Sequence, residues 1–271
     1  MGMEINNLVV VRFSLKLNPE WQEIAYGPEE NRSKWFAYRV ALFRRFLAAS
    51  LRRQKVKSLK NFLLMDETDE ADYRKFEHLF SDIVTPVFSK DKNHIQQVNE
   101  EITRAGYTNI ALSRVDSDDA LADNYFEEIN RAIQRAIENN IRFTHVVATR
   151  GYHVTKECWQ EVYYNRSPFL TRFCPRFNGE NVYDIYHQHV ISHPHIQCHS
   201  ARWIQLIHDT NVFNALIDSQ LDESLFIEHI KSNPRRIATQ PTPYSQGFPS
   251  ALSSFLCDLE DMPVFDTASH R

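Results

Sequence analysis

Hydrophobic and polar positions alternate along this chain in two rhythms. Compact apolar runs occur at residues 8–13 (LVVVRF), 62–65 (FLLM), 83–88, the first half of 109–119 (NIALSRVDSDD) and 143–149 (FTHVVAT). Runs of this length, rich in β-branched and aromatic residues, have the character of buried strands. Between them apolar residues return every three or four positions: Phe36, Val40, Phe43, Leu47 and Leu51; Ile95, Val98, Ile102 and Ala105; Phe126, Ile129, Ile133 and Ile137. These are helix stripes, the first capped by Ser33 and the third opened by Asn124 with Glu127 three residues on. Strands alternating with helices predict an α/β fold: a Rossmann-like, mostly parallel sheet flanked by helices, with a ligand crevice at the strands' carboxyl ends. Pro86 gives the third strand an edge position or a bulge.

Beyond Gly151 the pattern changes. Residues 152–164 and 168–177 are aromatic, alternating and turn-punctuated, which predicts a smaller antiparallel region or a lid over the crevice. A histidine-rich stretch follows: His187, His189, His193, His195 and His199, interrupted by Pro194. Period-two histidines can chelate zinc, but as strand pairs they also make a half-buried polar face or a substrate pocket. Residues 203–214 (WIQLIHDTNVFN) read as an amphipathic element that breaks at 208–211; a helix C-terminus, which favours a histidine, is one reading of that break. A last helix over 225–231 stops at Asn233-Pro234. Residues 239–250 read as a loose tail and 251–259 as a short docking helix. The organisation expected is an α/β half over 1–150, a second region of the same domain over 151–238, and a loosely docked tail over 239–271.

Candidate chemistry gathers at the strand ends. Asp116, Asp118 and Asp119 fall within four residues, and solvent, a helix N-terminus or a bound cation must offset their repulsion. An acidic turn can simply cap the next helix. It can also hold a hard divalent cation and the phosphates that cation carries. A calcium loop is excluded: counted from Asp116, the fifth and sixth places are Ala120 and Leu121, where an oxygen ligand and a glycine are required. Ser113-Arg114 just ahead favours a phosphate or sugar diphosphate, because a guanidinium forks onto phosphate oxygens. Arg12, with Phe13, and Asp66 end their own strands at the same edge. His208 can complete a metal or phosphate site, and Asp209 beside it can serve as a general base.

Composition narrows the classes. The 271 residues are 42% hydrophobic and 24% charged with net charge −4, ordinary for one large globular domain and wrong for a general nucleic-acid binder. Six glycines, none in a phosphate-cradling loop, disfavour dinucleotide and P-loop enzymes. Cys158, Cys174, Cys198 and Cys257 are scattered, as in reduced cytosolic proteins. No apolar run reaches the roughly 18 residues a membrane span needs, and the N-terminus is no signal peptide. The expected location is therefore cytoplasmic. Arg44, Arg45, Arg52, Arg53, Lys55, Lys57 and Lys60 form a basic face, either simply solvated or drawn to the anionic inner face of a membrane.

Four stretches carry a resemblance. RVALFRRFLAASLRRQ (39–54), SRVDSDDAL (113–121), WIQLIHDTNVFN (203–214) and RFSL (12–15) together resemble, in order, the bacterial rhamnosyltransferase family with its Arg-x-Asp-x-Asp-Asp signature. The resemblance implies a GT-A glycosyltransferase fold, a nucleoside-diphosphate-sugar donor, a glycan or lipid-linked glycan acceptor, and Mn²⁺ or Mg²⁺. On that reading residues 1–150 bind the nucleotide sugar and 151–238 lie on the acceptor side. Asp118, with Asp116 and His208, would hold the metal; Arg12, Phe13, Asp66, Arg114, Asp116 and His208 would hold the donor. Asp209, Asp184 or Glu157 would deprotonate the acceptor, and Tyr152, His153 and Trp159 would wall the sugar. The sequence departs from the pattern after His208, where Asp-Thr replaces small residues. A nucleotidyltransferase and a non-catalytic nucleotide-binding protein are the alternative readings.

Overall fold

The central strand β1 (Asn6–Arg12) is the LVVV run, buried along its interior. It lies between β2 (Lys60–Asp66) and β4 (Thr108–Asp116), parallel to both. β3 (Thr85–Ser89) adds a fourth parallel strand at the sheet's edge, where Pro86 costs no ladder bond on its open side. In the computed structural model the described residues are 3–16, 20, 25, 28–90, 93–208, 215–249 and 255.

Helices fill the crossovers. α1 (Arg32–Phe43), a π-helical turn (Arg44–Ala48) and α2 (Ala49–Arg53) run on as one rod from the first crossover. α3 (Glu70–Phe76) joins β2 to β3, and α4 (His94–Ala105) joins β3 to β4 and ends on Gly106 in the left-handed conformation that glycine tolerates best. After β4 come the short β5 (Ala120–Leu121) and α5 (Tyr125–Glu138). The sheet has two packed faces. Val9, Val11 and Val115 meet Phe36, Phe43 and Ile129 on one side; Leu8, Val10 and Leu112 meet Val98 and Ile102 on the other.

The second half of the sheet is antiparallel in most of its pairings. β6 (His145–Val154), β7 (Cys158–Tyr164) and β8 (Leu170–Arg176) are the aromatic segments, and β8 joins them to the parallel half by pairing with β4. One edge of β6 is shared by β8 near its start and β7 near its end, while β9 (His195–Leu206) runs parallel along the other edge. Phe169 stacks on Trp203 at 4.8 Å, and Gly151 faces Trp203 so closely that an added Cβ would lie 2.1 Å from the indole. α6 (Glu223–Ile230), β10 (Arg236–Ala238) and β11 (Thr242–Pro243) follow, the two strands pairing with β7. The start of the expected tail is thus fixed on β7, and the Trp159 indole donates to the Gly247 carbonyl. Of residues 251–259 only Phe255 is described, buried against Phe46; the expected docking helix otherwise lies outside the described residues.

The α/β expectation holds, with local corrections. Ser33 lies inside α1 and donates to Asp72 instead of capping. Asn124 occupies the N-cap position of α5 without a side-chain cap bond. Ile137 ends up on the exposed side of that helix. Residues 203–206 extend β9 rather than a helix, and His187 lies in a 3₁₀ turn (His187–Ser192) rather than a strand.

Candidate functional site

Parallel pairing sets Arg12 opposite Asp116 at the carboxyl ends of β1 and β4. The guanidinium closes on that carboxylate with hydrogen bonds of 2.9, 3.1 and 3.2 Å. A tight turn follows, its Asp119 N–H bonded to the Asp116 carbonyl. Asp118 is thereby turned inward, 7% exposed. Arg39 of α1 forks onto both its oxygens at 2.7 and 3.1 Å and also reaches Ser117 Oγ. Trp35, one helical turn earlier, lies 5.8 Å beneath that guanidinium.

β9 supplies the remaining partner. β5 pairs with Trp203 and Ile204, so His208, two residues beyond the strand, arrives beside the acidic turn. Its Nε2 stands 2.9 Å from Asp118 Oδ2, and its Nδ1 stands 3.3 Å from the Tyr38 hydroxyl. Burial pushes the Asp118 carboxyl up, but the Arg39 charge and the bonds from His208 and Arg39 prevail and hold it far below the usual range. Asp119 goes the other way: burial, then the charges of Asp118 and Asp116, push it well above the ordinary value. Its Oδ1 is buried without a hydrogen-bond partner.

The helical rod also anchors the far end of the acidic loop. Ser50 Oγ accepts from Leu121 N–H. Gln54 Nε2 donates to the Ala122 carbonyl while its Oε1 accepts from Phe126 N–H. The π-helical turn lies between Arg39 and these two residues, and such turns recur at functional sites. Sequence reasoning missed Arg39, Tyr38, Ser50 and Gln54 as site residues. A signal was present, because Arg39, Ser50 and Gln54 are polar residues returning near one face of an otherwise apolar helix.

Other expected residues fall elsewhere. Phe13 packs edge-on against Phe36 and Phe43 and is core. Asp66 accepts from the N–H and hydroxyl of Thr68 and caps a turn at the crevice edge. Asp184 is exposed and accepts from Asn181 N–H; Glu157 is exposed in the β6–β7 turn beside Thr155. Asp209 lies outside the described residues. Tyr152 and His153 are buried, and the Tyr152 ring lies 6.0 Å from the half-buried Trp159 in a hydrophobic cluster, so Tyr152 and His153 are interior residues rather than a sugar wall. The histidine run does not converge: His187 Nδ1 meets the Arg166 carbonyl, His195 Nδ1 that of His193, and His199 Nδ1 the Thr149 hydroxyl.

The fit of a divalent cation rests on Asp118 and His208. Their facing atoms are 2.9 Å apart, close to the roughly 3 Å between neighbouring ligands around an octahedral Mg²⁺ or Mn²⁺ with bonds of about 2.1 Å. The pair fits two corners of such a shell, with Arg39 sharing the carboxylate. Among the described residues no group of three His, Cys, Asp or Glu side chains gathers to hold a metal, so substrate oxygens and water would fill the other corners.

Three solved structures give distant likenesses. A cytidylyltransferase from Leptospira borgpetersenii is 12% identical, with 72% of this chain and 75% of that one covered and a TM-score of 0.38. A nucleotide-diphospho-sugar transferase, so described, from Desulfovibrio desulfuricans is 13% identical over 97% and 100% of the two chains, with a TM-score of 0.37. The inositol-1-phosphate CTP transferase of T. maritima is 11% identical over 85% and 97%, with a TM-score of 0.31. These likenesses are too distant to bear on function. No curated protein matches the chain. A family pattern does match, over residues 6–219, which span β1, the acidic turn and His208: the chain belongs to the family described as "Putative rhamnosyl transferase".

Proposed function

We propose that this protein moves a sugar, rhamnose by the family's description, from a nucleoside-diphosphate sugar to a hydroxyl of a glycan or lipid-linked glycan. The observation that carries the reading is the Arg39–Asp118–His208 cluster at the carboxyl ends of the parallel strands. In glycosyl transfer negative charge builds on the departing diphosphate, and fixed cations aimed at it lower the barrier. Arg39, Arg12 and Arg114 supply that charge from rigid elements. Asp118 and His208, with Asp116 nearby, would hold Mn²⁺ or Mg²⁺, which when bound neutralises the leaving diphosphate as a Lewis acid. The Tyr38 hydroxyl can donate to or accept from His208 Nδ1, so it suits either tautomer of the ring.

Asp184 and Glu157 are tied into turns, which leaves Asp209, adjacent to His208 in sequence, as the base of this proposal. It takes the proton from the acceptor hydroxyl as the sugar carbon becomes oxocarbenium-like. Membrane contact, as part of the same reading, rests on Arg44, Lys55 and Lys57. Arg52, Arg53 and Lys60 of that face already pair with Asp82, Asp123 and Glu101. No described helix is long and apolar enough to cross a membrane.

The test is a thermal-shift and calorimetric screen of nucleoside diphosphates and nucleotide sugars with and without Mn²⁺. A ligand at a hundred times its Kd adds about 2.7 kcal/mol of stability. Stabilisation by one nucleotide that depends on Mn²⁺ and disappears in Asp118→Ala is the expected result. Indifference to every nucleotide would overturn the proposal.

A further inference from the structure

Arg114 is a buried cation with no carboxylate partner. It is 4% exposed, and among the described residues no acidic side chain hydrogen-bonds it. Its guanidinium lies 4.7 Å from the centroid of the Tyr183 ring, and Arg12 lies 5.3 Å from the same centroid. Arg12 already commits its Nε and Nη2 to Asp116. The row of Arg12, Asp116 and Arg114, on one face of the sheet, therefore carries one uncompensated positive charge. Burying a charge that no carboxylate hydrogen-bonds costs free energy in the free protein. An aromatic face offsets only part of such desolvation.

Two further features converge on the row. α4 opens at the carboxyl end of the sheet, and Asn93 supplies it no side-chain cap; the N–H groups of a helix start suit an oxyanion. Its first residue, His94, is buried, its Nδ1 has no hydrogen-bond partner, and it feels the Arg12 charge. A buried histidine with an unused ring nitrogen, a guanidinium without a carboxylate partner and a helix start share one complementary ligand chemistry, an oxyanion with several oxygens.

Building on the transferase reading, we propose that Arg114, Arg12, Tyr183 and His94 form a phosphate subsite separate from the Asp118–His208 pair. The phosphoryl group comes from one of two sources: the diphosphate of the donor, or a phosphate borne by the acceptor. Arg114 forks onto its oxygens, Tyr183 holds the guanidinium flat, and His94 adds a donor as its Nδ1–H tautomer.

The experiment is calorimetry of the full chain in EDTA, which keeps divalent cations away from Asp118 and His208. The probes are inorganic phosphate and pyrophosphate, then uridine, thymidine and guanosine diphosphates. Phosphate or pyrophosphate should bind the unmodified protein and bind Arg114→Met at least tenfold more weakly, with His208→Ala unaffected. Equal affinity in Arg114→Met overturns the subsite. Should that variant fail to fold, Arg114→Lys keeps the charge and loses the fork; it should bind pyrophosphate several-fold more weakly, and unchanged affinity again overturns the subsite. Competition between pyrophosphate and a nucleoside diphosphate assigns the subsite to the donor, and simultaneous binding assigns it to the acceptor. Phosphate binding that needs Arg114, in a protein that takes no nucleotide, would leave the subsite standing and remove the transferase reading. Mn²⁺-dependent nucleotide binding with phosphate affinity indifferent to Arg114 would do the reverse.

Discussion

Among the described residues Arg39 and His208 hold Asp118 with different weight. Arg39 makes a forked ion pair with it, and His208 adds one bond. Removing one member of a buried ion pair leaves the other charge uncompensated, at a cost of about 3–5 kcal/mol, whereas a single lost hydrogen-bond partner costs about 1–3 kcal/mol. Arg39→Met is therefore expected to lower the urea unfolding midpoint more than His208→Ala does. The opposite order would show that the histidine, not the arginine, is the principal partner. Asp116 and Asp118 could be read from the sequence because acidic residues ending a strand are conspicuous. Arg39 was missed although it shares a helix face with Ser50 and Gln54, because that pattern alone does not say that an arginine of a basic helix meets Asp118. That meeting is set by the sheet against which the helix packs.

At the scale of elements, the helical rod and the acidic loop behave as one unit. Gln54 satisfies the Ala122 carbonyl and the Phe126 N–H, and α5 begins one residue before Phe126. Gln54→Leu keeps the bulk and strands both backbone groups, so a loss of about 1–3 kcal/mol is expected from urea denaturation. A change under about 0.5 kcal/mol, the scale of an ordinary surface substitution, would show that the clamp is idle. The strands of the parallel half were legible because β-branched runs leave few alternatives. β9 was not: residues 203–206 are all buried, so both of its faces are covered and the alternation that marks a strand is erased. His187 was misplaced for a related reason, since period-two spacing looks alike in a strand and in an irregular turn.

For the whole molecule, acid is the sensitive variable. His145 is 1% exposed and His153 is fully buried. Burial, helped by Arg172 for the first and Arg236 for the second, pulls them down to about 4 and about 3. Both are neutral in the folded chain, and on unfolding each returns to the ordinary value near 6.5. Below that value the unfolded chain binds more protons, so stability falls with acidification, by about 1.4 kcal/mol per pH unit for each histidine, down to the folded-state values. Urea midpoints should hold from pH 8 to 7 and drop steeply from pH 6 to 4.5, and His153→Gln should flatten that drop. An unchanged slope in the variant would clear His153 of the effect. Sheet order was the least legible feature. The pairing of β4 with β8 and of β6 with β9 depends on contacts between distant segments, and local pattern holds no record of them.

Arg39 and His208 reach Asp118 from widely separated parts of the chain: Arg39 lies 79 residues before it and His208 lies 90 residues after it. During synthesis, then, the acidic turn leaves the ribosome long before its histidine does. Until β9 slots in beside β6 and β5, a growing chain has strands and helices but no assembled centre. On the proposed reading, activity would report on completed topology and be silent in every partial product.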